Sequence, residues 1–178
     1  EIVPGITSAI AAPSYAGIPL THRDISSSFT VITGNESYNK KNSPIDLNTL
    51  PLNDTLVILM GWSQLKNIIE NLLLHGRNPK TPVAIIQWGT QPYQKTIVGT
   101  LSNIIEKSSK LKLSPPVVIV IGKTINLRKK LRWFDTRPLF GKKILVTKPY
   151  GQKEHLTDLL LKQGAEPIEL PTIKIVPN

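Results

Sequence analysis

Short apolar runs alternate along this chain with segments in which apolar residues recur every three or four positions. The β-branched, apolar runs predict strands, at 29–33, 55–60, 83–87 and 117–121. Between the second and third runs, apolar residues spaced i, i+3, i+4, i+7 and i+8 predict a helix from Ser63 to His75. Ser63 is the expected N-cap, and Gly76 is the expected residue beyond the C-cap. Strands that alternate with helices in this way indicate an α/β layer.

Weaker signals fill the gaps between these elements. Residues 95–98 predict an edge strand, and residues 101–110 predict a helix. The polar stretch 35–53, rich in Asn, Ser, Lys and Pro, predicts a mobile loop or lid.

The first residues of the chain predict a turn that leads into a helix. Pro4 and Gly5 favour a tight turn, Thr7 or Ser8 can cap a helix, and the small apolar residues of 9–15 let that helix pack closely. The N–H groups at such a helix start, together with two hydroxyls, suit a polar or anionic ligand group. A second turn, at 17–19, then brings Thr21, His22 and Arg23 together as a cationic cluster.

The pattern restarts near the end of the chain. Residues 138–141 read as a linker, followed by a strand at 143–147, a helix at 154–163 and a strand at 167–170. One helix and two strands cannot bury a core of their own. We therefore expect the beginning of a second domain, cut short.

Composition narrows the class of protein. With 178 residues, of which 40% are hydrophobic and 19% charged, the chain can form one moderate domain and part of another. No apolar run approaches the roughly 20 residues that span a bilayer, which predicts no membrane association. The absence of cysteine excludes disulfides and thiolate metal sites and favours a cytoplasmic location, and no histidines have metal-ligand spacing. The first residue is Glu1 rather than Met, so we expect a piece of a longer protein.

The net charge of +10 is concentrated in one segment. Against the single acid Asp135, the stretch 107–148 holds basic residues at 107, 110, 112, 123, 128, 129, 130, 132, 137, 142, 143 and 148. Such a segment can serve nucleic acid, a polyanionic small molecule, or solubility. Aromatic residues are not interleaved with the cations, which makes nucleic-acid binding the less favoured of the three.

Several motifs, in this order, carry a family resemblance. They are Val3 to Arg23, Leu59-Met60-Gly61, Pro82-Val83-Ala84, Gly89-Thr90 with Gln94, and Ser114-Pro115-Pro116. Over residues 1–134 the chain closely resembles the uroporphyrinogen-III C-methyltransferases of the tetrapyrrole methylase superfamily. The resemblance implies an α/β fold, the C-terminal subdomain of that family, with a mixed sheet and flanking helices. After a linker at 135–141, residues 142–178 resemble the first strand, helix and strand of uroporphyrinogen-III synthase, another α/β domain.

This resemblance implies S-adenosylmethionine as the methyl donor. The reaction would be two C-methylations of uroporphyrinogen III to precorrin-2, in sirohaem or cobalamin biosynthesis, with a fused synthase activity in the full-length protein. By motif position, Thr7 and Ser8 contact the donor, and Met60 sits over it. Ala84 and Gly89 present their backbone to the adenosine part, where small residues allow close approach. For Met60 a purely packing role stays open.

The acceptor implied by the resemblance is a polyanionic tetrapyrrole with eight carboxylates. Arg23 is the best candidate to bind one of them through a bidentate pair, with an ion pair to Asp24 as the alternative. His22 would hydrogen-bond a carboxylate or orient a pyrrole N–H, with a structural role in the turn as an equal alternative. No residue is assigned as catalytic. The family usually has His after Thr33-Gly34, and Asn35 stands there in this chain.

Two further expectations concern the whole protein. The glycine-rich turn and loop that form the other wall of the family's donor site do not occur in these residues, so we expect the fragment alone to bind the donor poorly and to be inactive. For the full-length protein, the resemblance implies a homodimer. The alternatives are another methylase of the same fold, acting on a corrinoid precursor or RNA, or an inactive docking remnant.

Overall fold

The computed structural model describes residues 1–34, 49–111, 113–149 and 154–173. The predicted loop at 35–53 falls mostly on residues 35–48, which lie outside the described ranges. The helices are α1 (Ser8–Tyr15), α2 (Leu65–Leu74), α3 (Ile104–Ser109), α4 (Arg128–Leu131) and α5 (Glu154–Lys162). The strands are β1 (Phe29–Thr33), β2 (Thr55–Leu59), β3 (Pro82–Gln87), β4 (Lys95–Thr100), β5 (Val117–Ile121), β6 (Lys143–Val146) and β7 (Glu166–Glu169). A 3-10 helix, Lys123–Leu127, precedes α4.

The first five strands form one mixed sheet in the order β1-β2-β5-β3-β4. Strands β1 and β2 are parallel, whereas β5 runs antiparallel to both of its neighbours, β2 and β3. Strand β4 pairs antiparallel with β3 at the sheet edge, which confirms the predicted edge strand and extends it to Thr100. The predicted mixed α/β fold with flanking helices is therefore confirmed.

The three central strands, β2, β5 and β3, are buried on both faces, as continuous apolar strands require. Side chains alternate along β2: Leu56 and Ile58 face a core that includes α2, while Val57 faces a second core that includes α1. Strand β3 alternates in the same way, and Ala84 belongs to the α1 side. Ala9 and Ala12 of α1 are fully or almost fully buried, which keeps this helix close to the sheet.

The ends of α2 confirm one sequence prediction and correct another. The helix begins at Leu65 after Gln64, and no side chain caps it, so Ser63 is not the N-cap. At the other end Gly76 has φ +84°, and the N–H groups of Gly76 and Arg77 donate to the carbonyls of Leu73 and Leu72. This is a Schellman ending, which places glycine where the sequence predicted it.

Both ends of α1 are held by specific hydrogen bonds. Thr7 is the N-cap, and its hydroxyl accepts the N–H of Ala9 at 3.3 Å. Beyond the C-terminal end, the carbonyl of Ala16 accepts a hydrogen bond from Arg128, and the Trp133 indole N–H donates to the carbonyl of Ser14 at 3.2 Å. Helix α4 and the segment after it therefore fix the end of α1 that faces away from Ser8.

Aromatic and charged contacts join this segment to α1 and to the linker. Tyr15, Trp133, Phe134 and Phe140 form a chain of ring contacts with centroids 4.8–5.6 Å apart. The guanidinium of Arg137 lies 4.6 Å from the Trp133 ring. Such rings gain from edge-to-face and cation–π geometry beyond the area that they bury.

Strands β6 and β7 form a separate parallel pair joined by α5. The linker before β6 touches the main body, because the Gly141 N–H donates to the carbonyl of Pro92 at 3.0 Å. Leu145 and Ile168 on the two strands are 55% and 44% exposed. The predicted strand, helix and strand are present, and their assignment to the start of a second domain stays a prediction.

Many cations of the basic segment 107–148 have partners within the chain. Arg128 and Arg132 both pair with Asp135, Lys110 pairs with Glu106 at 2.7 Å, and Lys143 pairs with Glu166 at 3.5 Å. These contacts favour a structural role for part of the segment. Among the helices of the described residues, none has the length and apolar character needed to cross a bilayer.

Candidate functional site

A cavity of about 820 Å³ opens at one edge of the five-stranded sheet. Since β2 and β3 are both antiparallel to β5, their carboxyl ends lie at the same edge, next to the beginning of β5 and the first turn of α1. Ligands in α/β folds bind beyond the carboxyl ends of strands, and this volume suits a cofactor-sized molecule. The cavity is lined by Ile6, Ser8, Ala11, Ala12, Leu59, Met60, Trp62, Ser63, Ile86, Trp88, Gly89, Thr90, Gln91 and 115–118.

Three non-glycine residues of this lining adopt left-handed backbone conformations. Their φ angles are +54° at Met60, +51° at Trp88 and +74° at Thr90. A left-handed conformation costs a non-glycine residue roughly 1–2 kcal/mol. Conformations of this kind cluster at functional sites, where neighbouring contacts hold them in place. No other described non-glycine residue has a positive φ, so the cavity wall is where this backbone strain collects.

Gly89 brings the turn after β3 into close contact with α1. A Cβ atom at Gly89 would lie 2.5 Å from the Cβ of Ala12 and 3.0 Å from its Cα. Only glycine fits without a shift, because real Cβ contacts essentially never fall below 3.0 Å. Gly89 and Ala12 therefore form one wall, and Ser8 at the first residue of α1 completes it.

Several further contacts of this turn are polar. The N–H of Trp88 donates to the carbonyl of Pro116 at 3.3 Å, which ties the turn to the loop before β5. The side-chain amide of Gln87 donates to the carbonyl of Ser114 at 2.6 Å and so holds the same loop. The N–H of Thr90 donates to the side-chain oxygen of Gln94 at 2.9 Å.

The structure brings together three of the residues predicted to contact the donor, namely Ser8, Met60 and Gly89, all in the cavity lining. Thr7 caps α1 with its hydroxyl and does not line the cavity. Ala84 is fully buried in the middle of β3, paired with Val98 and Val120, and also lies outside the lining. The donor contacts of all five residues stay predictions.

The structure does not bring His22 and Arg23 to this cavity. The N–H of His22 donates to the carbonyl of Ser26 at 2.8 Å, and the Ser26 hydroxyl accepts the N–H of Thr55 at 3.2 Å. Thr55 begins β2, whereas Met60 follows its end, and five extended residues span about 16 Å. The turn that carries His22 and Arg23 therefore lies at the opposite end of the sheet, where β2 begins. This end is the amino edge, and the end with the cavity is the carboxyl edge.

Within this turn the two predicted substrate residues differ. The His22 ring nitrogen Nδ1 accepts the N–H of Asp24 at 3.2 Å and lies 3.9 Å from the Asp24 carboxylate. Arg23 is exposed and has no ion-pair partner in the part of the chain that the structure describes. Asp24 thus faces His22 rather than Arg23. The binding of a carboxylated substrate by either residue stays a prediction.

A second, smaller cavity of about 240 Å³ lies at the amino edge, beside the buried side chain of Arg77. The guanidinium donates to the carbonyl of Pro51 at 2.9 Å and to that of Asp54 at 3.4 Å. Burial lowers the pKa of Arg77, and the negative charge of Asp54 opposes that shift. Lys123 lies on the same cavity wall.

Unlike the small cavity, the large cavity has no lining residue with a titratable side chain. Hydroxyls, one amide and two indoles supply its polar side-chain atoms, so ligand recognition there depends on shape, apolar contact and backbone groups. Across the described ranges no three His, Cys, Asp or Glu side chains are grouped to hold a metal ion.

A mixed α/β sheet with a cofactor-sized cavity beyond its strand ends, and with a glycine packed against the adjacent helix, is an arrangement typical of α/β domains that bind small molecules. Residues 1–105 match the family model described as Tetrapyrrole (Corrin/Porphyrin) Methylases. The chain belongs to this family.

Individual relatives agree with this assignment. Porphyrin biosynthesis protein HemD from Ruminiclostridium josui is 41% identical over 177 residues, which cover 99% of this chain and 35% of that protein. Uroporphyrinogen-III C-methyltransferase from Methanocaldococcus jannaschii is 51% identical over 128 residues, covering 71% of this chain and 52% of the relative. The chain thus spans about a third to a half of the length of these relatives.

A solved structure shares both fold and sequence with the chain. Uroporphyrin-III C-methyl transferase from Thermus thermophilus, crystallised in complex with S-adenyl homocysteine, superposes with a TM-score of 0.57 at 29% identity. The match covers 71% of this chain and 52% of the Thermus protein.

Proposed function

We propose that this chain is part of an S-adenosylmethionine-dependent methyltransferase that C-methylates uroporphyrinogen III. The observation that carries the proposal is the convergence of Ser8, Met60 and Gly89 on one cofactor-sized cavity at the carboxyl edge of the sheet. Its support from relatives is the similarity to uroporphyrinogen-III C-methyltransferases over 71% of the chain.

The cavity has the chemistry that such a donor requires. Its walls are mainly apolar, and the close contact of Gly89 with Ala12 leaves a smooth backbone surface suited to a flat adenine. No lysine or arginine lines it, so a positively charged sulfonium would meet no like charge from these residues. S-adenosylmethionine supplies an electrophilic methyl group when bound.

The residues of this chain would act by binding and orientation. Met60 is 65% exposed and lies at the end of β2, where its side chain can cover a ligand and exclude water. Ser8, Thr90 and Gln91 supply polar atoms that fix the orientation of the ligand. Holding the acceptor carbon in line with the methyl group supplies a large part of the rate in such transfers. C-methylation also removes a proton, and none of the lining side chains is a suitable base, so we assign that step to groups outside this set.

The acceptor, the assembly and the second activity are finer parts of the proposal. We propose a tetrapyrrole with eight carboxylates, two methylations to precorrin-2, and a homodimer in the complete protein. A fused uroporphyrinogen-III synthase would begin with β6, α5 and β7. This part is supported by the Ruminiclostridium josui relative, which matches 99% of the chain, whereas the Methanocaldococcus jannaschii relative matches 71%.

Calorimetric titration of S-adenosylhomocysteine tests the donor assignment directly. We expect saturable binding by the complete protein encoded by the natural gene, and weak or no binding by residues 1–178 alone. Methyl transfer from labelled donor to uroporphyrinogen III, followed by mass spectrometry of the product, then tests the acceptor. A complete protein that is folded and binds no S-adenosylhomocysteine would refute the proposal.

A further inference from the structure

The turn between β3 and β4 combines backbone strain with one buried polar side chain. Trp88 and Thr90 flank Gly89, and both have left-handed backbone conformations. Gln94, just before β4, is 4% exposed although it is a polar residue in a turn. A glutamine buried to this extent needs hydrogen-bond partners, since an unpaired amide in the interior is costly.

Both ends of the Gln94 amide are engaged. Its oxygen accepts the N–H of Thr90 at 2.9 Å, and its nitrogen donates to the hydroxyl of Thr96 at 3.3 Å. The backbone N–H of Gln94 also donates to the carbonyl of Gln91 at 2.9 Å, which closes the turn. The side chain therefore lies behind the turn and links Thr90 to the first residues of β4.

We propose that Gln94 is a positioning residue for the donor cavity. It holds Thr90 in the left-handed conformation and thereby keeps the Gly89 backbone against Ala12 as a fixed cavity wall. Gln94 itself is absent from the cavity lining, so it acts through the turn and not by touching the ligand. The inference rests on the proposed function of this cavity.

The physical reason is that Gln94 supplies the only described partner of a strained amide. Without the side-chain oxygen, the N–H of Thr90 has no acceptor, and Thr90 can relax to a common backbone conformation. Relaxation at Thr90 would rotate the neighbouring peptide of Gly89 out of its contact with α1. Ligand binding would then have to restore the order of this turn, and that cost lowers the affinity of the cavity for its ligand.

The chain offers a matched control at the other end of β4. The side-chain oxygen of Asn103 accepts the N–H of Thr100, also at 2.9 Å, and neither residue lines the cavity. Gln94→Leu and Asn103→Leu therefore remove the same kind of hydrogen bond from opposite ends of one strand.

The first test uses S-adenosylhomocysteine and the complete protein. We expect Gln94→Leu to raise the Kd by about tenfold, and Asn103→Leu to change it by less than about twofold. Gln94→Glu should restore most of the affinity, because a carboxyl oxygen accepts the Thr90 N–H in either protonation state. An unchanged Kd for Gln94→Leu, or an equal loss in both leucine variants, would overturn the inference.

A second test needs no ligand and distinguishes the positioning role of Gln94 from the assignment of the donor to the cavity. Amide hydrogen exchange in the wild-type protein should show protection at Thr90 that Gln94→Leu removes and Gln94→Glu retains. Equal protection of Thr90 in wild type and Gln94→Leu refutes the positioning role whatever the cavity binds. Failure of the wild type to bind S-adenosylhomocysteine instead refutes the donor assignment, and with it the role of Gln94 toward the donor.

Discussion

The two edges of the five-stranded sheet are built in different ways. At the carboxyl edge, the cavity of about 820 Å³ has no titratable lining residue, and its wall contains all three described non-glycine residues with positive φ. At the amino edge, the cavity of about 240 Å³ is lined by Asp54, Arg77 and Lys123, and side-chain hydrogen bonds join its loops.

The difference separates ligand binding from the anchoring of loops. Backbone conformation and close packing shape the carboxyl edge, so a small steric change there should alter ligand affinity. The Arg77 side chain donates to backbone carbonyls and joins the loops of the amino edge, so changes there should alter stability. Each substitution below is chosen to break or sharpen this contrast.

The largest effect is expected from Gly89→Ala. The added Cβ would lie 2.5 Å from the Cβ of Ala12, so α1 or the turn must move. Overpacking of this kind typically costs about 1–3 kcal/mol. We expect that loss of stability together with a more than tenfold increase in the Kd for S-adenosylhomocysteine, roughly 1.4 kcal/mol or more. Thermal unfolding and calorimetry measure the two quantities.

Gly76→Ala is the matched control at the amino edge. Gly76 has φ +84° and nothing within 4 Å of an added Cβ, so alanine there meets backbone strain without a steric clash. We expect a loss of about 1 kcal/mol in stability and no change in ligand affinity. If both alanine variants weakened the binding of S-adenosylhomocysteine equally, the proposed difference between the carboxyl and amino edges would be wrong.

A smaller effect, limited to stability, is expected from Arg77→Met. Methionine fills much of the same space but leaves the carbonyls of Pro51 and Asp54 without their donor. Because Pro51 is exposed and Asp54 is half-buried, water can replace part of the lost hydrogen bonds, and the arginine charge no longer has to be buried, so we expect a loss of less than about 1 kcal/mol. Urea unfolding should show the loss, and the Kd for S-adenosylhomocysteine should not change. An Arg77→Met protein of wild-type stability would mean that the Arg77 hydrogen bonds do not hold this edge.

The sequence predicted the sheet well because strand and core signals are local. Runs such as 117–121 must be buried on both faces wherever they lie, and the structure places them in the centre of the sheet. Helix boundaries were less predictable: Ser63 had the right chemistry for an N-cap, yet α2 begins two residues later without one.

The site was predictable where a motif coincides with a strand end or, as at Ser8, with the start of a helix. Met60 and Gly89 follow β2 and β3 directly, so their place at the cavity follows from the fold. Sequence proximity does not show which end of the sheet a loop reaches, so the position of His22 and Arg23 at the amino edge was not predictable. The left-handed conformation of Thr90 was not predicted, although Gly89-Thr90 and Gln94, which accepts the Thr90 N–H four residues away, belong to one of the sequence motifs.

The smallest structural effect is expected from Arg23→Gln. Arg23 is exposed, and no ion pair joins it to another described residue, so its removal should change stability by no more than about 0.5 kcal/mol. If it binds a substrate carboxylate in the complete protein, the KM for uroporphyrinogen III should rise by about tenfold while the Kd for S-adenosylhomocysteine stays constant. Steady-state methylation kinetics and calorimetry separate the two. A weaker Kd for S-adenosylhomocysteine with unchanged stability would connect the turn at the amino edge to the cavity at the carboxyl edge, and the two edges could no longer be treated as independent.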